Sequence, residues 1–233
     1  MTIIQTESTF CFSAEAQLHE DGTVTTSGHP DFGGDSNAIQ HLLTNVATIF
    51  HNEYAFAALK TDGTVVTWGD PIAGGDSNAV QHLLTNVKTI INTDGTFAAL
   101  KDDGTVITWG HPYAGSDSST AAQHLLTNIT TIFVNIASFA ALKTDGTVVT
   151  WGDPENGGDS SAVQHLLTAV KTIAANRYAF AALKADGTVV TWGYPDCGGD
   201  SSAVQKDLIN IQTIIADDYD FTAIKPDGTR ISW

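Results

Sequence analysis

Basic side chains are scarce in this chain. Ten Lys and Arg stand against 26 Asp and Glu, and the only arginines are Arg177 and Arg230. The formal net charge is −16. Phosphates are held by clustered Lys and Arg, whose binding releases counterions, and similar clusters steer proteins to anionic membranes. No such cluster exists here, so neither nucleic acid nor a membrane surface is an expected partner. The acidity reads as a solubilising surface. Cysteine is also rare: Cys11 and Cys197 do not make a disulfide framework in 233 residues. No apolar run approaches the roughly 18 residues of a membrane-spanning helix. The opening MTIIQTESTF lacks the basic and apolar regions of a signal peptide, so an intracellular protein is the default expectation.

What the chain does have is a repeat. An Asp-Gly pair recurs at Asp21-Gly22, Asp62-Gly63, Asp103-Gly104, Asp145-Gly146, Asp186-Gly187 and Asp227-Gly228, in steps of 41, 41, 42, 41 and 41 residues. Around it the text barely changes: FAALKTDGTVVTWG ends at Gly69 and again at Gly152. The first and last copies are degenerate, as capping units of an array are. Six units run approximately over residues 2–47, 48–88, 89–130, 131–171, 172–212 and 213–233. No linker interrupts them, so a single repeat domain over 1–233 is expected, and hydrophobic residues at 42% suffice for a core.

Each unit opens on a β-branched segment, such as Thr48-Ile49-Phe50 or Thr213-Ile214-Ile215, and by analogy Thr2-Ile3-Ile4. Such residues favour a strand. FAALK and TVVTW follow, joined by a turn whose glycine takes positive φ cheaply. Three antiparallel strands per unit are predicted. The rest of the unit is spaced differently. Val80, Leu83, Leu84 and Val87 recur at i, i+3, i+4 and i+7, the stripe of an amphipathic helix. Asp76-Ser77 stands where an N-cap belongs. Five short helices are therefore expected, each joining one hairpin unit to the next.

The strands carry apolar or small residues on both faces, as sheets stacked radially do. The fold class that follows is mainly β with short helices: six βββα repeats forming a six-bladed β-propeller, with an open β/α solenoid as the alternative. The run ALKxDGxVxxWG, preceded by VKTI and a short loop, resembles the repeat of the regulator of chromosome condensation (RCC1) family. The resemblance covers nearly the whole chain, in units at Leu59–Gly69, Leu100–Gly110, Leu142–Gly152 and Leu183–Gly193. It implies a β-propeller, usually of seven four-stranded blades. Here the units are shorter, there are six, and a helix stands in for the outer strand. The family's founding protein is a nucleotide exchange factor on chromatin. No nucleosome-binding arm is present, so that activity is not carried over.

Trp68, Trp109, Trp151, Trp192 and Trp233 share one repeat position. They read as blade-to-blade packing more readily than as stacking platforms for sugars or bases. His41, His82, His124 and His165 fall on the outward side of the expected helices and do not converge as metal ligands must. The Gly-Gly-Asp-Ser segments read as a turn and cap; they lack the oxygen ligands of a calcium loop and the Lys of a phosphate loop. No catalytic constellation rises above the repeat. The non-repeated candidates His51, Glu53, Arg177, Asp217 and Asp218 are scattered over three copies. Neither catalytic residues, nor a metal, nor a cofactor is expected.

Strand direction places the loop after the first strand and the loop after Trp-Gly at one end, with the Asp-Gly turns at the other. The Asp-Gly end is nearly constant between copies. The other end varies: HNEY, NTDG, VNIAS, ANRY and ADDY in one loop, and HPDF, DPIA, HPYA, DPEN and YPDC in the next. Positions free of scaffold demands are where binding residues are placed, although unconstrained loops also drift. The variable end holds every tyrosine, Tyr54, Tyr113, Tyr178, Tyr194 and Tyr219, together with Glu53 and Arg177. Tyr is enriched at interfaces. The expected function is a non-enzymatic binding module that recognises a protein partner or a glycan through these residues. A self-assembling repeat protein and an enzyme with one non-repeated site are the alternatives.

Overall fold

A computed structural model describes residues 14–115 and 126–233. The expected first strand at Thr2-Ile3-Ile4, the third linker with His124, and Cys11 lie outside those residues. The chain divides into two compact units, Met1–Asp117 and Ser118–Trp233.

Unit 1 holds β1 (Ala14–Leu18) with β2 (Val24–Gly28), β3 (Val46–His51) with β4 (Ala55–Lys60) and β5 (Val65–Gly69), and β6 (Val87–Asn92) with β7 (Thr96–Lys101) and β8 (Val106–Gly110). Unit 2 holds β9 (Ile129–Val134), β10 (Ser138–Lys143) and β11 (Val148–Gly152), then β12 (Val170–Ala175), β13 (Ala179–Lys184) and β14 (Val189–Gly193), then β15 (Thr213–Ala216), β16 (Phe221–Ile224) and β17 (Arg230–Ser232). Every sheet is an antiparallel meander in chain order. The molecule is mainly β with short helices, built as predicted from repeated three-stranded sheets.

Within each unit the core lies between successive sheets. Phe56 pairs with Trp68 across β4 and β5, and their rings stack with centroids 5.1 Å apart. Trp68 Nε1 donates to the carbonyl of Gly33 in the preceding repeat at 3.0 Å, and Trp109 to Gly74, Trp192 to Gly157 and Trp233 to Gly198 likewise. Glycine is required there. Gly74 has φ 100°, and a Cβ on it would stand 2.6 Å from Phe97 Cδ2. The stacks of Trp68, Trp109, Trp192 and Trp233 with Phe56, Phe97, Phe180 and Phe221 are thus the floor on which the previous repeat's Gly-Gly turn sits, and these tryptophans are scaffold.

The Asp-Gly turns join repeats as well as strands. Gly63 N donates to Lys60 O within the turn, while Gly63 O accepts from Val87 N at the start of the next repeat. Gly22, Gly146 and Gly187 make the same outward bond to Val46, Val170 and Ile211. Asp62 Oδ1 accepts from the Thr64 hydroxyl at 2.6 Å and from Thr64 N at 3.0 Å. These bonds hold the Asp62 carboxyl below its ordinary range, and the same bonds act on Asp21, Asp103, Asp145, Asp186 and Asp227.

The linkers depart from the expected amphipathic helices. They contain short 3-10 turns, at Asn37–Leu42, Gln81–Leu83 and Gln164–Leu166, and a turn of α-helix is not completed. The apolar stripe splits between two elements. Leu84 is fully buried below the 3-10 turn, Val87 is already the first residue of β6, and Leu42 and Leu166 are more than 40% exposed. Asn45, Asn86, Asn128 and Asn210 reverse the chain between the two pieces with φ of 54–59°, a region Asn tolerates better than most residues. Ala169 takes the same conformation at φ 53°. Asp76 does not cap a helix; its Oδ1 accepts from Asn78 N in a local turn.

What the linker does is cover a sheet edge. Gln81 Nε2 donates to Val65 O on the outer strand β5, and Ser77 Oγ donates to Gln81 Oε1. Gln40, Gln164 and Gln205 repeat the bond to Val24, Val148 and Val189. An open strand edge invites unwanted pairing. Here a side-chain amide occupies the carbonyl that a fourth strand would otherwise use.

Candidate functional site

The loops opposite the Asp-Gly turns are built on a buried asparagine. Asn52 Oδ1 accepts from Tyr54 N and Ala55 N, and its Nδ2 donates to Ala73 O in the neighbouring Pro-containing turn. Asn135 and Asn176 do the same with Asn156 O and Cys197 O. In these three repeats one loop residue is therefore scaffold, at a fixed offset from the Trp-Gly pair, whereas the last repeat carries the exposed Asp217 there. The third repeat breaks the rule. Thr93 stands at this position, is 3% exposed, and its hydroxyl has no partner.

In those three repeats the asparagine ties both loops together, so the residues around it project from fixed points. In unit 2, backbone bonds run across three consecutive loops, from Ile136 N to Arg177 O and from Arg177 N to Asp218 O. This ladder brings Tyr178 to Tyr219, with rings 18° from parallel and centroids 5.9 Å apart. The Tyr194 ring is tilted against that of Tyr178, with centroids 6.4 Å apart. The Arg177 guanidinium carbon lies 6.0 Å from the centre of the Tyr178 ring. Tyr178 is half-buried, while Tyr194 and Tyr219 are 43% and 50% exposed. Asp196, Asp218 and Asp220 stand exposed among them.

Unit 1 arranges its tyrosines differently. Tyr54 lies 5.5 Å from Phe32, which is 4.8 Å from the His29 ring. The Glu53 carboxylate beside Tyr54 accepts its hydroxyl proton in a hydrogen bond and pushes the phenol above its ordinary range, with Asp94 and Asp70 adding to the effect. Tyr113 is 85% exposed and touches only His111 at 5.8 Å among the ring contacts described. Seven candidate residues are thus placed on the loop end, with Tyr178, Tyr194, Tyr219 and Arg177 gathered in unit 2 and Tyr54, Glu53 and Tyr113 in unit 1. Asp218, a non-repeated candidate of the sequence, lies with Asp196 and Asp220, which the sequence had not singled out, as it had not the Phe32–His29 pair.

Among the described residues no group of three or more His, Cys, Asp or Glu is placed to hold a metal ion, and no helix is long and apolar enough to cross a membrane. Three equivalent grooves of about 490, 690 and 550 Å³ open along the outer strands β5, β11 and β14. Each contains the Ser and Gln of the linker that covers the edge, so they belong to the repeat.

No family model matches this sequence, and no curated protein matches it. Solved structures do. The crystal structure of Kap60 bound to yeast RCC1 (Prp20) matches with a TM-score of 0.53 at 15% identity, over 94% of this chain and 67% of that one. Prp20p from Saccharomyces cerevisiae matches at 0.49 and 15%, over 94% and 69%. The CRINKLY WD40 ectodomain of the Arabidopsis thaliana receptor kinase ACR4 matches at 0.48 and 12%, over 94% and 77%. The first of these, with the repeated three-stranded sheets, defines the fold as an RCC1-like β-propeller type.

Proposed function

We propose that the chain is a non-enzymatic binding module of RCC1-like repeat type, a short divergent variant forming a single repeat domain, and that it engages a protein partner through the loop end. The observation that carries this reading is the tyrosine cluster of unit 2. Exposed aromatic rings held in fixed positions give large contact area at low entropic cost, and nothing within the fold requires Tyr194 or Tyr219 to be aromatic. The buried asparagines of the same loops are consumed by bonds to the backbone. A protein of this fold has been seen with a protein, Kap60, bound to it, which supports the partner class.

A photo-crosslinking residue placed at Tyr194 or Tyr113 should give discrete protein adducts in extracts, and one placed at Ala185 beside an Asp-Gly turn should not. Equal adducts from both ends would sink the assignment of the loop end. Adducts with the chain itself alone would favour self-assembly.

A further inference from the structure

The two ends of unit 2 differ in charge as well as in constancy. At the Asp-Gly end, Lys143, Lys184 and Lys225 balance Asp145, Asp186 and Asp227. At the loop end, Asp153, Glu155, Asp196, Asp217, Asp218 and Asp220 face a single cation, Arg177. That arginine lies over the Tyr178 ring. A guanidinium is thus already placed against an aromatic ring on a surface whose other charged residues are acidic. Two further tyrosines of the cluster, Tyr194 and Tyr219, keep 43% and 50% of their surface open, with Asp196, Asp218 and Asp220 beside them in sequence and exposed.

We infer that the loop end of unit 2 docks an arginine-bearing cationic segment of its partner, whose guanidinium groups lie on Tyr194 and Tyr219 and are flanked by Asp196, Asp218 and Asp220. The inference rests on the reading that this end binds protein, and it adds the partner's chemistry. Arginine is favoured over lysine because its flat, weakly hydrated guanidinium stacks on an aromatic ring while bonding a carboxylate in the ring's plane. A lysine ammonium satisfies only the charge. The docking is sensitive to salt because these groups are exposed.

The test uses the full chain and three fluorescein-labelled octapeptides, alternating glycine with Arg, Lys or Glu, titrated by fluorescence anisotropy. The Arg peptide should bind at least threefold more tightly than the Lys peptide, and the Glu peptide should not bind. A Tyr194→Ala/Tyr219→Ala double variant should weaken the Arg peptide about tenfold, the product of two exposed cation–ring contacts, and erase the preference over Lys. Asp218→Asn/Asp220→Asn should weaken both cationic peptides, while Asp207→Asn in a linker should change neither. Circular dichroism checks that each variant is folded. Equal affinity for the Arg and Lys peptides, unaffected by the tyrosine pair, would overturn the inference as mere charge attraction, as would binding of the Glu peptide. Crosslinking at Tyr194 to a partner segment without arginine would overturn it while leaving the protein-binding reading intact. Glycan-array binding lost with the same tyrosine pair would overturn both.

Discussion

The two ends of each repeat are made from the same strands, yet they do opposite things. At the Asp-Gly end the carboxylate and the turn's backbone are spent within the fold. The Asp caps a Thr, the Gly carbonyl reaches the next repeat, and the text is nearly constant from copy to copy. At the loop end a single Asn does that work in three repeats, and the residues around it differ. Constancy within a repeat protein therefore marks what the neighbouring repeat needs. Variation marks surface released from that need, and only there do the tyrosines occur.

The sharpest way to break this contrast is to cut into what both ends stand on. Phe97→Ala removes a fully buried ring from the stack under the Gly74 turn and should cost about 3–5 kcal/mol by thermal or denaturant unfolding. Tyr113→Ala, at 85% exposure, should stay within about 0.5 kcal/mol of the parent. A comparable loss from both would mean that the loop end is structural after all.

Next in size is the scaffold residue of the loop end. Asn176→Ala leaves the Cys197 carbonyl and two amide groups without their partner, and should cost about 1–3 kcal/mol. It should also weaken any ligand that reads the Tyr178 cluster, because that loop loses its anchor. The reverse change is available in the third repeat. Thr93→Asn would replace an unpartnered buried hydroxyl with the amide used elsewhere, and should raise stability by about 1 kcal/mol in the same measurement. Ala169→Asn, at φ 53° where the four other linkers carry Asn45, Asn86, Asn128 and Asn210, should add a few tenths to about 1 kcal/mol.

The smallest expected effect comes from the Asp-Gly end and appears only in acid. Hydrogen bonds from Thr64 lower the Asp62 carboxyl below its ordinary value of 3.8. A depressed folded value stabilises the protein above the ordinary value, and that contribution is lost as pH falls through the lower one. Asp62→Asn should therefore flatten the melting temperature against pH below about pH 4 and leave the curve near neutrality parallel to the parent. These turns are solvent-exposed, so each contributes little, and an unchanged acid limb would show the Thr bonds to be energetically silent.

Much of the fold was legible in the sequence. The repeat, the three strands and the packing role of Trp followed from spacing and residue type, because a strand pair and its turn are local. The linkers were misread for a physical reason. Val80, Leu83, Leu84 and Val87 are spaced as a helix face, but Gln81 bonds the edge of β5 and Asn86 turns the chain. The last residue of the stripe then belongs to a strand. The tyrosines fall in the loops opposite the Asp-Gly turns, but their grouping was not readable. Tyr178 and Tyr219 are 41 positions apart in sequence, and what joins them is the backbone ladder through Arg177 and Asp218. Nor did the loops reveal that one of their residues was a buried anchor, since the Asn appeared amid changing neighbours.

By itself, then, the sequence determined the unit and its repetition, since those depend on residues near one another along the chain and on a glycine or aromatic that has no substitute. Tertiary structure alone decided which side chain covers a strand edge, which tyrosines meet, and where unpaired charge collects. Those outcomes depend on contacts between repeats, whose energies no local pattern records.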